Sequence, residues 1–479
     1  MRCFLPLVLV PLFGCTQPTA SPTPLAVAPQ QTRVTMPDLV GKPLSEAKVL
    51  LVKLGLTVGE VSEGSSTRPK GQVAEQIPAA GVAVKPGTKA ELHVSRGPDD
   101  DPGLLKNASE GASYTPTKRG KSVIRLPRQV ESPPTDFLKG ASEVTLVAEG
   151  LEHPRWLTVA ENGDIFVVES RLEVKKKKQP NRVTVLRDTD GDGKSDQRRV
   201  YADALYLPFG IAFHKDFLYV ANTGSVVRWP YKSGDLVASQ PAETVISDIP
   251  EIGMRQHWTR NLAFSPDGKW LYVTIGSKEN ADIEEPERGT IVRYALDETG
   301  KPIGKLAIFA SGLRNPIGLA FHPKTNALWA VVSERDYLGD ELVPDFLTEV
   351  KEGGFYGWPY YYLGPHHDPR LPERPDLKKR TLIPDVLIPA HSAPLGLVFD
   401  KDGSAYVALH GSQNRSRFTG YKIIKVPAGT KKPEDFITGW LKNADDNAVN
   451  GRPAGLAWDK DGSLLITDDW AGRIWRVKL

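Results

Sequence analysis

The chain is poor in cysteine, in net charge and in long apolar segments. Its 479 residues include two cysteines, Cys3 and Cys15, both at the N-terminus, so a disulfide framework is excluded for the rest of the sequence. The 61 basic and 58 acidic residues leave a formal net charge of +3, which gives no argument for binding nucleic acid. No segment beyond the N-terminus has the length and hydropathy of a membrane helix.

The signatures of several common enzyme classes are also missing. The sequence contains no GxSxG, no P-loop, no GxGxxG and no HExxH motif, which removes the usual sequence arguments for a serine hydrolase, a nucleotide-binding enzyme or a zinc protease. It contains instead 43 glycines and 40 prolines together with many valines and isoleucines. This composition favours a mainly β protein of short strands joined by turns.

The first fifteen residues resemble a bacterial lipoprotein signal. Arg2 precedes an apolar stretch that is too short to span a bilayer, and Leu12-Phe13-Gly14-Cys15 resembles a lipobox. We expect lipidation at Cys15 and an exported lipoprotein, anchored to the membrane on its periplasmic or cell-surface side. The alternative is an ordinary secretory signal with an incidental cysteine. Residues 16–33, rich in Pro, Thr and Ser, are predicted to form a flexible tether.

Residues 34–97 are predicted to form a small α+β domain. A helix beginning near Ser45 would carry an apolar face and end at Gly55, and three alternating stretches would follow it as strands. The predicted face consists of Ala47, Leu50, Leu51 and Leu54. The stretches MPDLVGKPLSEAKVLLVKLGL and VAEQIPAAGVAVKPGT resemble the PASTA domain, which implies binding of peptidoglycan fragments; a spacer without a ligand is the alternative. Residues 98–142 are predicted to be a linker.

Residues 143–479 repeat one pattern six times. Each copy has an apolar triplet, a turn and a second alternating strand, and the copies start at His153, Leu207, His257, Asn315, Ala393 and Arg452. A spacing of about 50–60 residues with several strands per unit predicts a six-bladed β-propeller. The stretch EVTLVAEGL before the first copy and the C-terminal IWRVKL are candidates for strands that close the ring.

The repeat also predicts where the polar residues meet. If the first strand of each copy is innermost, the residues before it and those after the second strand share one face of the propeller, at the mouth of its channel. The residues before the first strands are Arg155, His257, Arg260, Asn261, Arg314, Asn315, His391 and Arg452; those after the second strands are Glu169, Asn222, Ser277, Glu334, Arg335, Asp336, His410 and Asp468. Arginines suit a small anion, and a histidine can act as a general base. In the alternative interpretation, the arginines and asparagines only cap strands and tie blades together.

Several spaced motifs resemble the soluble quinoprotein sugar dehydrogenases, and among them the sorbosone dehydrogenase group. The motifs are HWTRNLAFSPDGKWLYVTIG, SGLRNPIGLAF, SERDYLGDEL, GGFYGWP, HGSQNR and GRPAGLAWDKDGSLLITDD. The resemblance implies a propeller that binds pyrroloquinoline quinone (PQQ) and calcium and oxidises an aldose or a related sugar. Ile317 and Ala454 stand where the glucose enzymes have a polar residue and a second arginine, so the choice of sugar is open.

The resemblance also implies roles for individual residues. His257 would take the proton from the sugar hydroxyl, Arg314 and Asn315 would lie beside the reactive quinone carbonyl, and Arg452 would hold a cofactor carboxylate. The loop of Glu334, Arg335 and Asp336 would hold the cofactor calcium, largely through backbone carbonyls. Further candidates for cofactor binding are Arg260, Asn261 and His410.

A second candidate calcium site is the stretch DTDGDGKSD. Its carboxylates recur at alternate positions, with glycines that permit a tight loop and one backbone carbonyl as a further ligand. The proposed ligands are Asp188, Asp190, Asp192, Asp196 and the carbonyl of Lys194. The twelfth position is Arg199 rather than glutamate, so this is not a complete EF-hand, and a plain acidic turn is the alternative.

Two other functions remain open at the level of the sequence. One is a calcium-dependent hydrolase of the lactonase type, which predicts a carboxylate-rich metal site at the channel centre. The other is a non-enzymatic propeller that binds a cell-wall glycan, with the PASTA domain as a second anchor. For the dehydrogenase, the expected partners are a sugar substrate, an electron acceptor that the sequence does not identify, peptidoglycan through the PASTA domain and a membrane through the lipid.

The lipobox can be tested by replacing Cys15 with serine. Loss of the lipidation site should release the protein from the membrane fraction, because several acyl chains anchor a protein firmly whereas polar contacts with a surface do not. Fractionation of cells expressing Cys15→Ser, followed by a salt wash, measures this. A variant that stays bound after the wash would contradict the lipobox interpretation.

Overall fold

The computed structural model describes residues 33–64, 68–95, 125–130, 134–171, 180–251 and 257–479. The predicted signal with Cys15, and the predicted tether apart from Arg33, lie outside these residues. Within the described residues, no helix combines the length and hydropathy needed to cross a membrane.

Helix α1 and a small sheet form the N-terminal domain. Its elements are β1 (Val34–Thr35), α1 (Leu44–Lys53), β2 (Thr57–Gly64), β3 (Val73–Ile77), β4 (Ala83–Val84) and β5 (Lys89–Ser95). Strand β5 lies in the middle of the sheet, parallel to β2 and antiparallel to β3. Ala47 and Leu51 of the helix are buried in the core, as predicted. Leu54 was predicted on the same face but is 39% exposed, because the helix ends at Lys53 and Gly55 turns the chain with φ +67°.

Six four-stranded sheets form the propeller, which confirms the predicted fold. Blade 1 contains β8 (Pro154–Val159), β9 (Ile165–Glu169), β10 (Arg182–Arg187) and β11 (Gln197–Ala202); blade 2 contains β12 (Ile211–His214), β13 (Phe217–Ala221), β14 (Val226–Pro230) and β15 (Glu243–Ile246). Blade 3 contains β16 (Leu262–Phe264), β17 (Trp270–Ile275), β18 (Thr290–Leu296) and β19 (Pro302–Ser311); blade 4 contains β20 (Asn315–Phe321), β21 (Leu328–Ser333), β22 (Asp345–Glu349) and β26 (Val386–Ile388). Blade 5 contains β27 (Pro394–Phe399), β28 (Ala405–Leu409), β29 (Lys422–Val426) and β30 (Glu434–Ile437); blade 6 contains β33 (Pro453–Trp458), β34 (Leu464–Asp468), β35 (Arg473–Lys478) and β7 (Glu143–Ala148).

Short elements lie outside this plan. They are β6 (Arg128–Gln129), β23 (Gly354–Phe355), β24 (Tyr361–Tyr362), β25 (His366–His367), α2 (Pro375–Lys378), β31 (Leu441–Asn443) and β32 (Ala448–Val449). Strand β23 adds a fifth strand to blade 3, and β6 pairs in parallel with β32. Phe137, which belongs to the predicted linker, is buried between Trp440 and Trp475. The described part of that linker therefore packs against the last two blades, because its apolar side chain completes their core.

The ring closes between the two ends of the propeller sequence. Strand β7 pairs antiparallel with β35, so the outermost strand of blade 6 comes from the segment that precedes blade 1. The innermost strands of the six blades pack against one another in succession, with β33 returning to β8. This pairing confirms that the stretches EVTLVAEGL and IWRVKL contain the strands that close the ring.

Glycines allow the innermost strands to approach to backbone contact. A Cβ atom on Gly396 would lie 2.6 Å from the carbonyl oxygen of Ala454, and one on Gly455 would lie 2.5 Å from that of Arg155. Both distances are shorter than real Cβ contacts allow. Glycine at this position of the repeat therefore lets neighbouring blades meet closely around the axis.

Candidate functional site

A polar cavity of about 420 Å³ lies on the face that the repeat predicts. It is lined by residues that precede the innermost strands or follow the second strands of several blades, which is the juxtaposition expected from the repeat. The predicted cofactor, catalytic and metal residues that line it are His257, Arg314, Asn315, Glu334, Asp336, His410 and Arg452. Arg155 and His391, from the same set of polar positions, line it as well.

His257 is held through one ring nitrogen. Its Nδ1 lies 2.9 Å from both the carbonyl oxygen and the hydroxyl of Ser277, and that hydroxyl donates to the carbonyl of Glu279. A carbonyl oxygen only accepts hydrogen bonds, so Nδ1 carries the proton of the neutral ring. Nε2 therefore keeps its lone pair, and it makes no hydrogen bond with any residue that the structure describes.

The surroundings of His257 keep the ring neutral. Burial lowers its pKa well below the usual value, and the nearby Arg314 cation lowers the pKa further. Asp336 acts in the opposite direction without reversing the shift. At neutral pH the imidazole is thus available to accept a proton at Nε2.

Arg314 uses all its donors on the protein. Nε and one Nη2 hydrogen contact Asn280, through its carbonyl (3.1 Å) and its side-chain oxygen (2.9 Å), and Nη2 also contacts Asp336 at 3.2 Å. Nη1 donates to the carbonyls of Glu334 (2.7 Å) and Ser333 (3.4 Å). The five N–H groups of a guanidinium are therefore all occupied. Arg314 thus ties two loops together at the wall of the cavity, a role consistent with the blade-tying interpretation, while its place beside a quinone carbonyl stays a prediction.

Arg452, unlike Arg314, uses only some of its donors on the protein. Nε donates to the carbonyl of His410 (3.0 Å) and Nη2 to that of Gly411 (3.2 Å), and the guanidinium lies between the rings of Tyr421 and Trp470. Within the described residues, Nη1 makes no hydrogen bond. Arg452 therefore presents a cation with free donors to the cavity, as an anion site requires.

Arg260 and Asn261 lie beneath the loop of His257 rather than in the cavity lining. Nη1 of Arg260 donates to the carbonyls of His257 (2.8 Å) and Thr259 (2.9 Å), while burial lowers the pKa of Arg260 to about 9. The side-chain oxygen of Asn261 accepts from the backbone of Leu262. Their contacts support the loop of His257, and neither residue is among those that line the cavity; their role in cofactor binding stays a prediction.

In the loop from Glu334 to Asp336, two of the three backbone carbonyls already accept hydrogen bonds from the protein. The carbonyl of Glu334 accepts from Arg314, and that of Asp336 accepts from Asn280 and Arg370. The side chain of Arg335 is fully buried and points away, donating to the carbonyls of Pro359 and Tyr361.

Among the described residues that line the cavity, two side-chain oxygens are buried without a partner and can only accept hydrogen bonds, in the case of Glu334 when its carboxyl group is ionised. They are Oε1 of Glu334 and Oδ1 of Asn315. Leaving a buried acceptor unpaired costs free energy. These atoms therefore suit a ligand that brings hydroxyl groups or a cation.

His391 is a charged residue of the cavity to which the sequence assigned no role. Its Nδ1 lies 3.0 Å from Oδ1 of Asp336 and its Nε2 lies 2.9 Å from the carbonyl of Gly339. Burial opposes charge on both side chains, yet the pKa of Asp336 falls to about 2 beside His391 and Arg314, and Asp336 raises the pKa of His391. Two acceptors require two ring protons, so His391 is an imidazolium. Its position before the first strand of its copy was the only signal in the sequence.

A second missed residue is Asp469. It contacts Nε2 of His410 at 2.9 Å and forms an ion pair with Arg155. Burial opposes its ionisation, but His410 and Arg155 hold the pKa of its carboxyl far below the usual value. Burial, reinforced by Arg452, lowers the pKa of His410 to about 4. Asp469 thus offsets part of the positive charge on this side of the cavity.

The acidic loop, residues 188–196 between β10 and β11, lies on the face of the propeller opposite the cavity. Carboxylate oxygens of Asp188, Asp190 and Asp192 lie within 4.8 Å of one another. Asp196 instead accepts a hydrogen bond from the backbone of Thr189 (3.2 Å), and the backbone N–H of Lys194 donates to Asp192. The loop therefore brings together three of the four predicted carboxylates.

The profile of the TrAA12-like family matches residues 138–345 and 377–479. Every residue that lines the cavity lies within these two ranges. The chain belongs to the TrAA12-like family. The profile of the PASTA domain matches residues 34–96, so the N-terminal domain of this TrAA12-like protein is a PASTA domain. Both resemblances noted in the sequence are thereby confirmed.

Known relatives of this TrAA12-like protein include sugar dehydrogenases. A pyrroloquinoline quinone-dependent pyranose dehydrogenase of Coprinopsis cinerea is 25% identical over 408 residues, which cover 70% of this chain and 53% of that protein; the chain thus spans about half of its length. The holo form of the PQQ domain of a Coprinopsis cinerea pyranose dehydrogenase superposes with a TM-score of 0.59 at 21% identity, covering 73% of this chain and 100% of that domain. A calcium structure of a Trichoderma reesei carbohydrate-active enzyme of family AA12 gives a TM-score of 0.60 at 20% identity, with coverages of 76% and 99%. The structural likenesses show a shared fold.

The different contacts of Arg314 and Arg452 predict different costs of substitution. Arg314→Lys removes a network of five buried hydrogen bonds, and we expect the free energy of unfolding of the ligand-free protein to fall by about 2–4 kcal/mol. Arg452→Lys loses two bonds and keeps its charge, so the expected loss is at most about 1 kcal/mol. Thermal and denaturant unfolding of both variants measures the difference. Equal losses would contradict the assignment of Arg314 as the residue that ties the loops.

Proposed function

We propose that this protein oxidises an aldose or a related sugar, with PQQ as the hydride acceptor and His257 as the general base. The observation that carries the proposal is the geometry of His257. Its Nδ1 is fixed by Ser277, and its Nε2, at the polar cavity, has no hydrogen-bond partner among the residues that the structure describes. The names of the relatives support the same class of reaction.

The residues of the chain perform the proton chemistry. Nε2 of neutral His257 takes the proton of the sugar hydroxyl as the hydride leaves the same carbon, and the ring then carries a positive charge. Ser277 keeps the ring in the orientation in which Nε2 reaches the substrate. The low pKa of His257 favours return of the proton to solvent after each turnover.

The lining of the cavity fits an anionic quinone and a sugar. Arg452 has free donors for a carboxylate, and the guanidinium of Arg155 is a second cation of the same wall. The unpaired acceptors Oδ1 of Asn315 and Oε1 of Glu334 suit sugar hydroxyls or the calcium that the resemblance implies. When bound, PQQ would supply a two-electron acceptor for the hydride.

The lactonase-type alternative is less well supported. It requires several carboxylates around one metal at the channel centre. Among the residues that the structure describes, the only group of three or more potential ligand atoms within 4.8 Å is that of Asp188, Asp190 and Asp192, on the other face. In the cavity, Asp336 is already paired with Arg314 and His391.

Location and partners form part of the same proposal. Export as a lipoprotein anchored through Cys15 would place the reaction on the periplasmic or cell-surface side of the membrane, and the PASTA domain would bind peptidoglycan there. Electrons would then pass to an acceptor outside the chain.

The role of His257 can be tested with His257→Ala. We expect turnover to fall by about two to four orders of magnitude, the usual contribution of a general base, with little change in PQQ affinity. The wild type should keep its activity to well below pH 6.5, because burial and Arg314 lower the pKa of the base. Purified protein is titrated with PQQ and calcium, and sugars are screened with an artificial acceptor across this pH range.

A matched control is His322→Ala, which removes a histidine from a turn between β20 and β21, on the opposite face. This variant should turn over like the wild type. Near-normal turnover of a folded His257→Ala protein would overturn the assignment of the base. Absence of dye-linked activity in the wild type with every sugar would favour the non-enzymatic glycan-binding alternative.

We also propose a structural calcium ion at Asp188, Asp190 and Asp192. Their oxygens are close enough to share one cation. The same loop contacts the strands that close the ring, since Ser195 donates to the carbonyl of Val147 (2.8 Å) in β7 and Arg476 of β35 donates to Gly193 (2.5 Å). A bound ion would therefore stabilise the closure between blades 6 and 1.

Replacing Asp190 with asparagine tests this calcium site. Calcium that binds only the folded wild type adds to its free energy of unfolding. For a protein of this size, each kcal/mol added raises the melting temperature by at most about 4 °C, so we expect a rise of several degrees. Asp190→Asn should reduce that response. Differential scanning calorimetry with calcium and with a chelator measures it. Asp402→Asn, in the turn between the first and second strands of blade 5, is a control that should keep the full response.

A further inference from the structure

The PASTA domain touches the propeller beside the candidate active site. In strand β3, Oε1 of Glu75 lies 2.6 Å from Nε of Arg125, and the two side chains are 14% and 9% exposed. Burial raises the pKa of Glu75 to about 8 despite the attraction of Arg125, and Asp340 and Asp445 of the propeller raise it further. At neutral pH the carboxyl group is therefore largely protonated, and the contact joins a neutral carboxyl group to the guanidinium of Arg125.

Arg125 also holds the segment that borders the cavity. Its backbone N–H donates to the carbonyl of Gln413 (2.7 Å), and its guanidinium donates to the carbonyls of Ser416 and Asp445, each at 2.7 Å. Gln413 and its neighbour Asn414 line the cavity. Arg125 therefore holds both the backbone of this segment and the carboxyl group of Glu75 in the PASTA domain.

Two stacked aromatic rings lie between Arg125 and Arg452, the arginine with free donors at the cavity. The guanidinium of Arg125 lies 5.3 Å from the ring centre of Phe418, which stacks on Tyr421 at 5.5 Å with an interplanar angle of 11°. The guanidinium of Arg452 lies 5.7 Å from the ring centre of Tyr421. Cation–ring contacts of this kind are attractive and stronger when buried. The two arginines thus enclose one buried aromatic pair.

We propose that Arg125 is a positioning residue of the candidate active site and that, through Glu75, it makes the PASTA domain part of the support of the cavity. Arg125 acts through the segment 411–418 and through the Phe418–Tyr421 pair that backs Arg452. A ligand or force that moves the PASTA domain would then change the cavity. This inference rests on the proposed function for its link to cofactor binding, whereas the link between the domains stands on the contacts alone.

Arg125→Ala tests the proposal with two independent measurements. Hydrogen exchange should accelerate by about tenfold or more at amides of residues 411–421, including Ser412 and Thr419, because local opening becomes easier when their support is lost. The dissociation constant for PQQ in calcium buffer should rise by about three- to tenfold, which corresponds to roughly 0.7–1.4 kcal/mol. Exchange in blades 1 to 3 should not change.

Three further variants complete the experiment. Arg125→Lys keeps the charge and should restore part of both properties, although lysine lacks the planar fork that reaches both carbonyls. Glu75→Ala should accelerate exchange in β3 and in residues 411–421 to a smaller degree, since it removes only the carboxyl group that links the PASTA domain to Arg125. Arg128→Ala changes an exposed arginine of the same segment whose backbone alone is bonded, to Asn447, and should behave like the wild type.

The outcomes separate the two proposals. If Arg125→Ala exchanges like Arg128→Ala in residues 411–421, or if exchange accelerates equally in all blades, the positioning role is wrong. If Glu75→Ala leaves exchange at residues 411–421 unchanged, the contribution of the PASTA domain is wrong. If the wild type binds no PQQ, the proposed function fails, and the exchange measurements still decide the positioning role. Should Arg125→Ala not fold, Arg125→Lys and Glu75→Ala provide the same comparison.

Discussion

The pairing of strand β7 with strand β35 is the interaction on which the rest of the structure depends. It joins the segment before blade 1 to the end of blade 6 and so converts a row of sheets into a closed ring. Closure lets the innermost strands pack against one another all round the axis, and glycines such as Gly396 and Gly455 remove the side chains that would keep them apart. Without the ring, residues from blades distant in sequence would have no common cavity to line.

The cavity combines a neutral base with a strongly charged surrounding. His257 stays neutral because it is buried beside Arg314, whereas His391 is charged because both of its ring nitrogens face acceptors. Burial acts to lower the pKa of both histidines, and their protonation states differ because the hydrogen-bond partners and neighbouring charges of each ring differ. Arg314 and Asp336 connect them, since Arg314 lowers the pKa of His257 and Asp336 raises that of His391.

The arrangement separates the residues that build the site from those that can meet a ligand. Arg260 and Arg335 are fully buried, and their donors reach backbone carbonyls that hold the loops of His257 and Glu334 in place. Arg452 keeps free donors towards the cavity. Arg125 adds a support from outside the propeller ring, where it is bonded at once to the rim of the cavity and to the PASTA domain. A base and a cation are placed precisely only when the loops that carry them are themselves held by hydrogen bonds of this kind.

The sequence by itself determined the six-bladed propeller, the PASTA domain, the strands that close the ring and the face on which the polar residues gather. These features follow from local patterns, because alternation, turns and a repeat of similar length recur in each copy regardless of what the copy contacts. His257 and Arg452 could be placed at the cavity for the same reason.

Only the tertiary structure decided which polar residues face the cavity and which support it. The donors of Arg314 meet Asn280 and Asp336, which lie 34 and 22 residues away along the chain, and Arg125 meets Ser416 across 291 residues. The direction of a long side chain depends on such distant acceptors, and a repeat pattern locates only its backbone. Arginines at equivalent positions of the repeat therefore look alike in the sequence, and the hydrogen bonds made after the ring has closed give them different roles.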